Sequence, residues 1–341
     1  MHKLGVKIIL HCFEYNREQA KELNNICKKV FYYKRSSGFI YALSKKPYII
    51  KTRESSELLI NLKKDNYPVL FEGLHTTAHI NHPVLKERLK LVRTHNIEHQ
   101  YYKMLQRNDN NLFKQFYFKE ESKKLENFEK QLLFADHILA ISRNDYDYFN
   151  KYYGKTHYIP AFHPNEDINI IQGRGKYILY HGNLSVPENI KSVIELTDNV
   201  FSKTDKKVII AGRNPHNSIL KKIKNYNNIS LISNPDDNKM NELIRHAQII
   251  ILTTNQNSGI KLKLLSSLFA GRHCIVNDTL INNTGLEHLC TIKNTYSEIL
   301  EAVDNLWDKK ITEVTIEERR NVLMDDFSNI KNAQKIMNII A

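Results

Sequence analysis

The amino-acid sequence predicts an α/β protein built from two doubly wound, Rossmann-like domains that face each other across a cleft. Short apolar runs rich in β-branched residues alternate with segments of helical periodicity, a pattern typical of parallel sheets covered by helices on both faces. The alternation is interrupted over residues 160–175, which hold two prolines and two glycines and show little periodicity. With 341 residues, the chain is long enough to form two hydrophobic cores.

The second half follows this pattern more regularly than the first. In the first half, strands are predicted over residues 6–10, 47–51, 68–71, 89–93, 137–141 and 157–159, and helices over 18–28, 55–63 and 111–134. In the second half, strands are predicted over 177–180, 207–211, 229–232, 248–252, 274–276 and 290–292, and helices over 187–200, 217–224, 238–246, 260–270 and 295–306. The predicted domains are residues 1–160 and 176–341, joined by a linker at 161–175. A last helix near 328–340 is expected to pack back toward the first domain.

The charge of the protein is concentrated in the first half. Residues 1–160 hold 28 Lys and Arg against 17 Asp and Glu, a net charge of +11, whereas residues 161–341 hold 22 against 20. Such an asymmetry indicates contact with a polyanion or an anionic surface: nucleic acid, an anionic lipid leaflet or a phosphorylated acceptor. A general bias toward lysine is the alternative. Nucleic acid is the least favoured partner, because neither interleaved aromatic and basic residues nor a helix-turn-helix pattern accompanies the charge.

Composition indicates a globular, cytoplasmic protein. The sequence is 41% hydrophobic and 26% charged. Its apolar runs are shorter than the roughly 20 residues of a membrane span, and the apolar stretch at the N-terminus is too short for a signal peptide. The four cysteines are scattered without a CxxC pair, which predicts reduced thiols and neither a disulfide framework nor a metal site.

The most informative segment is 255–277, where a polar loop containing Gly259 follows an apolar strand and leads directly into a helix. A glycine-containing loop at a helix N-terminus directs free backbone N–H groups toward the space beyond the strand end, where an anion such as a diphosphate binds well. An ordinary βαβ crossover is the alternative interpretation.

Four further strand ends carry polar residues, and ligands of doubly wound sheets bind beyond such ends. His95 and Asn96 follow one predicted strand, and His75 follows another; a histidine there can act as an acid, a base or an electrostatic partner. In the second half, Gly182 and Asn183 form a turn before a helix, and Arg213 follows the next strand, where arginine suits bidentate phosphate contact. Loop histidines bonded to backbone and a surface ion pair of the arginine are the alternatives.

These segments resemble the GT-B glycosyltransferases and are most similar to glycosyltransferase family 4 of bacterial polysaccharide gene clusters. In the second half the similarity lies in 182–185, 211–213, 258–266 and Gly271-Arg272; in the first half it lies in 93–99, 135–142 and 158–164. The resemblance implies transfer of a sugar, with retention of anomeric configuration, from a nucleotide-sugar donor to a glycan or lipid-linked acceptor. It also implies that no metal or other cofactor is required, since helix N-termini and basic side chains neutralise the diphosphate.

The resemblance also implies roles for particular residues. Arg213 matches a basic residue that contacts the donor diphosphate, and His95 matches the acceptor-domain histidine that faces the reacting sugar. Further donor contacts are expected from the family-matched loop and turn residues Gly182, Asn183, Ser258, Gly259, Ile260, Lys261 and Ser266, and acceptor-side contacts from His75 and Asn96.

Two departures from the family pattern bear on activity. Ser258 and Ser266 stand where the family commonly has two glutamates, and a serine at 266 offers the donor ribose weaker contact than a carboxylate. The first domain is also expected to lack the family's opening strand and glycine-rich loop, through either truncation or shortening of the domain.

The leading hypothesis is a cytoplasmic, membrane-peripheral glycosyltransferase whose basic half docks on anionic lipid. A degenerate, non-catalytic GT-B binding or scaffold protein is the second hypothesis, and an enzyme that isomerises a nucleotide sugar is the third.

Overall fold

The computed structural model describes residues 1–15, 18–109, 111–254 and 262–341, which form two compact units. Unit 1 comprises Met1–Pro160 and Ile330–Ala341, and unit 2 comprises Ala161–Asn329. In both units the described strands pair in parallel. No helix in the described part of the chain is both long enough and apolar enough to cross a membrane.

Unit 1 contains two groups of parallel strands. The first pairs β1 (Ile9–Glu14) with β2 (Lys29–Lys34), and the second has the order β3 (Val69–Glu72), β4 (Lys90–Thr94), β5 (His137–Ala140) and β6 (Thr156–Tyr158). The helices are α1 (Leu23–Ile26), α2 (Tyr48–Lys51), α3 (Ser56–Leu62), α4 (Glu98–Asn108), α5 (Leu112–Glu129) and α6 (Arg143–Tyr153). The 3-10 helices Phe39–Leu43, Leu74–His79, Pro83–Leu85 and Lys130–Phe134 lie between them.

Unit 2 is built on one parallel sheet with the strand order β12-β11-β10-β7-β8-β9. Its strands are β7 (Ile178–Asn183), β8 (Val208–Arg213), β9 (Ile229–Ser233), β10 (Ile249–Leu252), β11 (His273–Val276) and β12 (Thr291–Ile292). Its described helices are α7 (Pro187–Asn199), α8 (Asn217–Ile223), α9 (Asp237–His246), α10 (Leu262–Ala270), α11 (Asp278–Ile281), α12 (Tyr296–Trp307) and α13 (Glu313–Asp326). The last helix, α14 (Asn329–Ile340), places Ile330–Ala341 in unit 1.

Both faces of the unit 2 sheet are buried, as its continuous apolar strands predict. Ile249 and Ile251 pack into one core with Tyr180, whereas Ile250 and Leu252 pack into the core on the opposite face. This alternation follows from the two-residue period of a strand and makes the sheet a rigid support for the loops at its edge.

The structure corrects several of the predicted elements, mostly in unit 1. Residues 47–51 were predicted as a strand because of their β-branched pair, but they form α2, whose Ile50 is fully buried and whose Tyr48 N donates to Glu121 Oε2 at 2.6 Å. That tertiary packing overrides the local β preference. The helix predicted over 18–28 is described as a helix only at Leu23–Ile26. The strand Lys29–Lys34 and the helices Glu98–Asn108, Arg143–Tyr153 and Glu313–Asp326 were not predicted.

Candidate functional site

In unit 2, the strand order reverses beside β7, which defines the place where such a sheet binds ligands. β7 pairs with β8 on one side and with β10 on the other, so the chain runs outward in opposite directions from this strand. Ligands of doubly wound sheets bind beyond the carboxyl ends of the strands at this switch point. Here those ends carry Gly182 and Asn183 as the last residues of β7, and Thr253 and Thr254 directly after β10.

The β7 and β8 ends approach each other closely through glycine. Gly182 pairs with Gly212 and Asn183 pairs with Arg213 in the parallel register. A Cβ on Gly212 would lie 1.8 Å from the carbonyl oxygen of Gly182, so this position accepts no side chain without backbone movement. The close approach fixes Asn183 and Arg213 side by side at the strand ends.

Arg213 is presented to solvent at the end of β8. Its side chain is 66% exposed, and Nη2 donates to Asp237 Oδ1 at 3.3 Å across a pair that is itself exposed. Such a pair stabilises the fold little, because water and salt screen it. The guanidinium can therefore exchange this contact for a phosphate with little loss of stability.

Lys263 supplies a second cation that the sequence did not identify. Its Nζ donates to Asn189 Oδ1 at 3.0 Å, and Asn189 Nδ2 donates to the Asn183 carbonyl at 2.9 Å. The Lys263 ammonium also lies 5.4 Å from the centre of the Tyr180 ring, and the Tyr180 hydroxyl donates to Asn189 Oδ1 at 3.2 Å. These bonds connect α10, the first turn of α7 and the end of β7 into one polar network at the switch point.

A buried pair fixes α10 on the sheet beneath this network. His181 Nε2 lies 2.8 Å from Ser267 Oγ, and Ser267 Oγ donates to the Lys263 carbonyl at 2.8 Å. Because that hydroxyl proton is used on Lys263, Ser267 accepts from His181, which places the imidazole proton on Nε2. Burial, and then the charge of Lys263, lower the pKa of His181 to about 3, so the ring is neutral at physiological pH.

Part of the predicted donor site lies outside the described residues. The structure does not describe residues 255–261, which include Ser258, Gly259, Ile260 and Lys261. Ser266 is half-buried on α10, four residues after Leu262. The predicted roles of these five residues stay predictions.

In unit 1, the ends of β3 and β4 bring together one carboxylate and two basic side chains, an arginine and a histidine. Glu72 pairs with Arg93 in the register, and its Oε2 accepts from Arg93 Nε at 3.0 Å and from His95 Nε2 at 3.2 Å. Burial alone would raise the pKa of Glu72, but the His95 hydrogen bond and the Arg93 charge together lower it. His95, with a side chain 38% exposed, is thereby oriented by a charged carboxylate at the sheet edge.

His75 lies beside His95 and is uncharged. The two ring centroids are 6.0 Å apart, and a Cβ on Gly73 would lie 2.6 Å from the His75 ring, so glycine at that position makes room for the imidazole. Burial, followed by the charges of Arg53, His95 and Arg35, lowers the pKa of His75 to about 4. The ring therefore offers one neutral donor and one neutral acceptor at pH 7.

Glu98 adds a second carboxyl near His95, at the first turn of α4. The residue is only 8% exposed, and burial raises its pKa to about 7, although the His95 charge opposes that shift. The nearby acids Asp145 and Glu129 add to the increase. Asn96, half-buried between His95 and α4, completes the predicted acceptor-side group.

A cavity of about 290 Å³ opens near the end of β1, lined by Phe13, Glu14, Tyr15, Glu18, Gln19 and Tyr32. Its Tyr15 ring lies 4.4 Å from the Arg35 guanidinium, one of the charges that acts on His75. Aromatic faces and carboxylate oxygens are groups that bind sugar rings and hydroxyls. Among the described residues, no group of three or more His, Cys, Asp or Glu is placed to hold a metal ion.

No protein-family model matches the sequence. A curated relative, an uncharacterized 44.6 kDa protein in the cps region of Klebsiella pneumoniae, is 28% identical over 298 residues, covering 82% of this chain and 76% of the relative.

The structure has the fold of the GT-B glycosyltransferases, as the sequence predicted. One solved structure with this fold is Anabaena HepE in complex with UDP and glucose, with a TM-score of 0.62 at 9% identity, covering 97% of this chain and 99% of HepE. Another is a variant of S. aureus TarM with fondaparinux, alpha-GlcNAc-glycerol and UDP, with a TM-score of 0.58 at 14% identity. That match covers 80% of this chain, which spans only 55% of the TarM chain. The narrower resemblance to family 4 stays a prediction.

Proposed function

We propose that the protein transfers a sugar from a nucleotide-sugar donor to a glycan or lipid-linked acceptor, with retention of configuration and without a metal ion. The observation that carries the proposal is the polar network at the unit 2 switch point, where Lys263, Asn189 and Asn183 are joined by hydrogen bonds beside Arg213. HepE and TarM, which share the fold, were solved with UDP, and the curated relative belongs to a cps region.

In this proposal unit 2 holds the donor diphosphate. The bond between the anomeric carbon and the phosphate oxygen breaks, an acceptor hydroxyl oxygen forms the new bond to the same face of that carbon, and the hydroxyl proton passes to the departing phosphate. Negative charge accumulates on the nucleoside diphosphate as it leaves. Arg213 and Lys263 neutralise that charge, which lowers the barrier only to the extent that they bind the leaving group more strongly than the intact donor. The 258–261 loop is expected to add backbone N–H groups and the Lys261 ammonium.

Unit 1 positions the sugar and the acceptor. His95, oriented by Glu72, is proposed to contact the transferred sugar, and neutral His75 with Asn96 to contact the acceptor. Ribose binding is proposed to rest on groups other than a carboxylate at position 266, because serine offers a single hydroxyl there.

The first test is binding of nucleoside diphosphates and nucleotide sugars, measured by thermal shift and calorimetry. At least one compound is expected to stabilise the protein, and Arg213→Ala is expected to weaken that binding. A folded protein that binds no member of a panel covering uridine, guanosine, thymidine and cytidine sugars would contradict the proposal.

The second test separates transfer from its alternatives. Incubation of the bound nucleotide sugar with candidate acceptors is expected to give a glycoside and free nucleotide, and His95→Ala is expected to reduce that rate with little effect on donor binding. Binding without turnover would favour a non-catalytic GT-B protein, the alternative that Ser258 and Ser266 support. Conversion of the donor in the absence of any acceptor would identify an isomerising enzyme.

A further inference from the structure

All of the formal net charge of the protein falls on unit 1. With α14 included, unit 1 holds 30 Lys and Arg against 17 Asp and Glu, whereas unit 2 holds 20 of each, so the net +13 belongs to unit 1. The structural boundary therefore sharpens the asymmetry seen along the sequence. An anionic partner would be attracted to unit 1 and not to unit 2.

The first two turns of α5 expose large apolar side chains. Leu112, Phe113 and Phe116 are 77%, 87% and 68% exposed. These turns are well formed, since the Asn111 side chain caps the helix by accepting from the backbone N–H groups of Phe113 and Lys114. Three neighbouring apolar side chains held in water by an ordered helix indicate a contact surface.

Lysines continue the same face of α5. Leu112, Phe116, Lys119 and Lys123 follow one another at spacings of four, three and four residues, which places them along one exposed stripe. The opposite face is buried through Ser122 and Leu125. The outer face thus begins apolar and continues with charges of both signs, since Lys123 Nζ donates to Glu120 Oε1 at 2.8 Å and Glu126 is exposed about one turn further on.

A second apolar segment lies against α5. Phe39, Ile40 and Leu43 of the 3-10 helix Phe39–Leu43 are 79%, 73% and 72% exposed. Lys124 Nζ of α5 donates to the Ala42 carbonyl at 2.6 Å, which holds this helix against α5, and the exposed Lys45 follows it. By contrast, the described residues of unit 2 expose the large apolar side chains Leu220, Leu262 and Val314, which lie on three different helices.

We propose that unit 1 docks on an anionic lipid bilayer through the exposed side chains of α5, hereafter the docking face: Leu112, Phe113 and Phe116 with Lys119 and Lys123. The apolar side chains enter the boundary between headgroups and acyl chains, while the lysine ammonium groups contact anionic headgroups. A second copy of this chain fits the docking face less well, because it would bring together two units that each carry a net charge of +13. The proposal extends beyond sugar transfer and puts unit 1 at an anionic membrane surface.

Vesicle sedimentation tests the proposal with the full-length protein. The test vesicles contain phosphatidylcholine with about 30% phosphatidylglycerol, which gives them a negative surface potential. Binding to them is expected to be at least about tenfold tighter than binding to phosphatidylcholine alone, and to weaken as salt is added. Phe113→Ser with Phe116→Ser, and separately Lys119→Glu with Lys123→Glu, are each expected to reduce that binding about tenfold. The matched controls in unit 2, Leu220→Ser with Val314→Ser and Lys221→Glu with Lys224→Glu, are expected to bind as the wild type does. Equal binding to both vesicle types, or wild-type binding by the Phe113/Phe116 variant, would overturn the proposal.

Insertion depth gives a second readout. In a Trp307→Phe background, a tryptophan introduced by Phe113→Trp is expected to be quenched by brominated lipid, whereas one introduced by Val314→Trp is not. Sedimentation velocity tests the alternative that a second copy of the chain occupies the docking face. A wild-type dimer that becomes monomeric in the Phe113/Phe116 variant would assign the docking face to a second copy and overturn the lipid proposal. Nucleotide binding by the same variant is expected to be unchanged, so failure here is distinguishable from failure of the transferase proposal.

Discussion

Units 1 and 2 use the same parallel α/β construction but place their polar and apolar groups differently. In unit 2 the buried polar side chains of the described residues include His181, Gln248, Arg272 and Arg319 but no carboxylate, and the polar network lies at the strand ends. Unit 1, by contrast, buries carboxylates: Glu129 accepts from Tyr148 at 2.7 Å and from Tyr153 at 2.9 Å, and lies 3.1 Å from His99. Unit 1 also exposes the apolar docking face.

The difference shows that one sheet type can support two kinds of interior. In unit 2 the packed sheet is a rigid support for the loops of the proposed diphosphate site. Unit 1 depends on hydrogen bonds within its core and offers an apolar, basic exterior. Its stability should therefore be sensitive to the removal of a buried carboxylate, a group that the described residues of unit 2 do not bury.

The largest expected effect is loss of the buried network of unit 1. Glu129→Ala leaves the Tyr148 and Tyr153 hydroxyls and the His99 ring without their acceptor, at a cost of about 3 kcal/mol in the free energy of unfolding of unit 1. Urea unfolding followed by hydrogen exchange and mass spectrometry resolves peptides of each unit. Glu126→Ala, on the exposed face of the same helix, is the control. Equal stabilities of the two variants would show that the network contributes nothing.

The counterpart in unit 2 is a steric test of the strand ends. Gly212→Ala places a methyl group against the Gly182 carbonyl and is expected to destabilise unit 2 by about 2 kcal/mol. Trp307 is the only tryptophan in the sequence and lies in unit 2, so its fluorescence reports that unit alone. Gly182→Ala serves as the control, because its Cβ would meet the Asn189 side chain no closer than 3.4 Å. A Gly212→Ala unfolding curve matching that of the wild type would show that the strand ends can separate freely.

The same contrast explains how much could be predicted from sequence. In unit 2, β7 to β12 were predicted at nearly their observed places, because runs such as Ile249–Leu252 are apolar throughout and lie between clear helical segments. In unit 1, the apolar residues of 47–51 pack into the core as a helix, and the aromatic strand Lys29–Lys34 shows no clean alternation. Local pattern fails where burial depends on distant partners such as Glu121.

The candidate site shows the same limit. His75, His95 and Arg213 could be placed at strand ends because strand ends follow from pattern. Glu72 stood in the same segment as His75, but its role appears only when β3 and β4 align it with Arg93 and His95. Lys263 bonds Asn189, a residue 74 positions away, and no local pattern reports such a contact.

A smaller effect is expected when single cations of the proposed donor site are removed. Lys263→Met and Arg213→Met are each expected to weaken binding of the best nucleoside diphosphate roughly tenfold, about 1.4 kcal/mol, by isothermal titration calorimetry. Lys221→Met, on the exposed surface of α8, controls for the general loss of positive charge. If Lys263→Met binds as Lys221→Met does, the network at the switch point does not hold the diphosphate.

The smallest effect is a change in how the stability of unit 1 depends on pH between 5 and 7. Folded His75 has a pKa of about 4 against 6.5 for a free imidazole, so the unfolded chain binds the extra proton and unit 1 loses stability as the pH falls through 6.5. Folded Glu98 has a pKa of about 7 against 4.5, so the folded chain keeps the proton and unit 1 gains stability as the pH falls through 7.

The two groups therefore oppose each other, and substitution separates them. Glu98→Gln is expected to make the acid-induced loss of unit 1 stability steeper, whereas His75→Gln is expected to make it shallower, measured by urea unfolding with hydrogen exchange at pH 5, 6 and 7. The pH dependence of unit 2 stability, followed by Trp307 fluorescence, should be the same in both variants as in the wild type. Burial lowers the pKa of His163, His181 and His273 in unit 2, and neither substitution alters the surroundings of these histidines. Shifts of the same sign in both variants would mean that the buried carboxyl and imidazole do not titrate as opposites, and the contrast between an interior with buried carboxyls and one without them would lose its electrostatic basis.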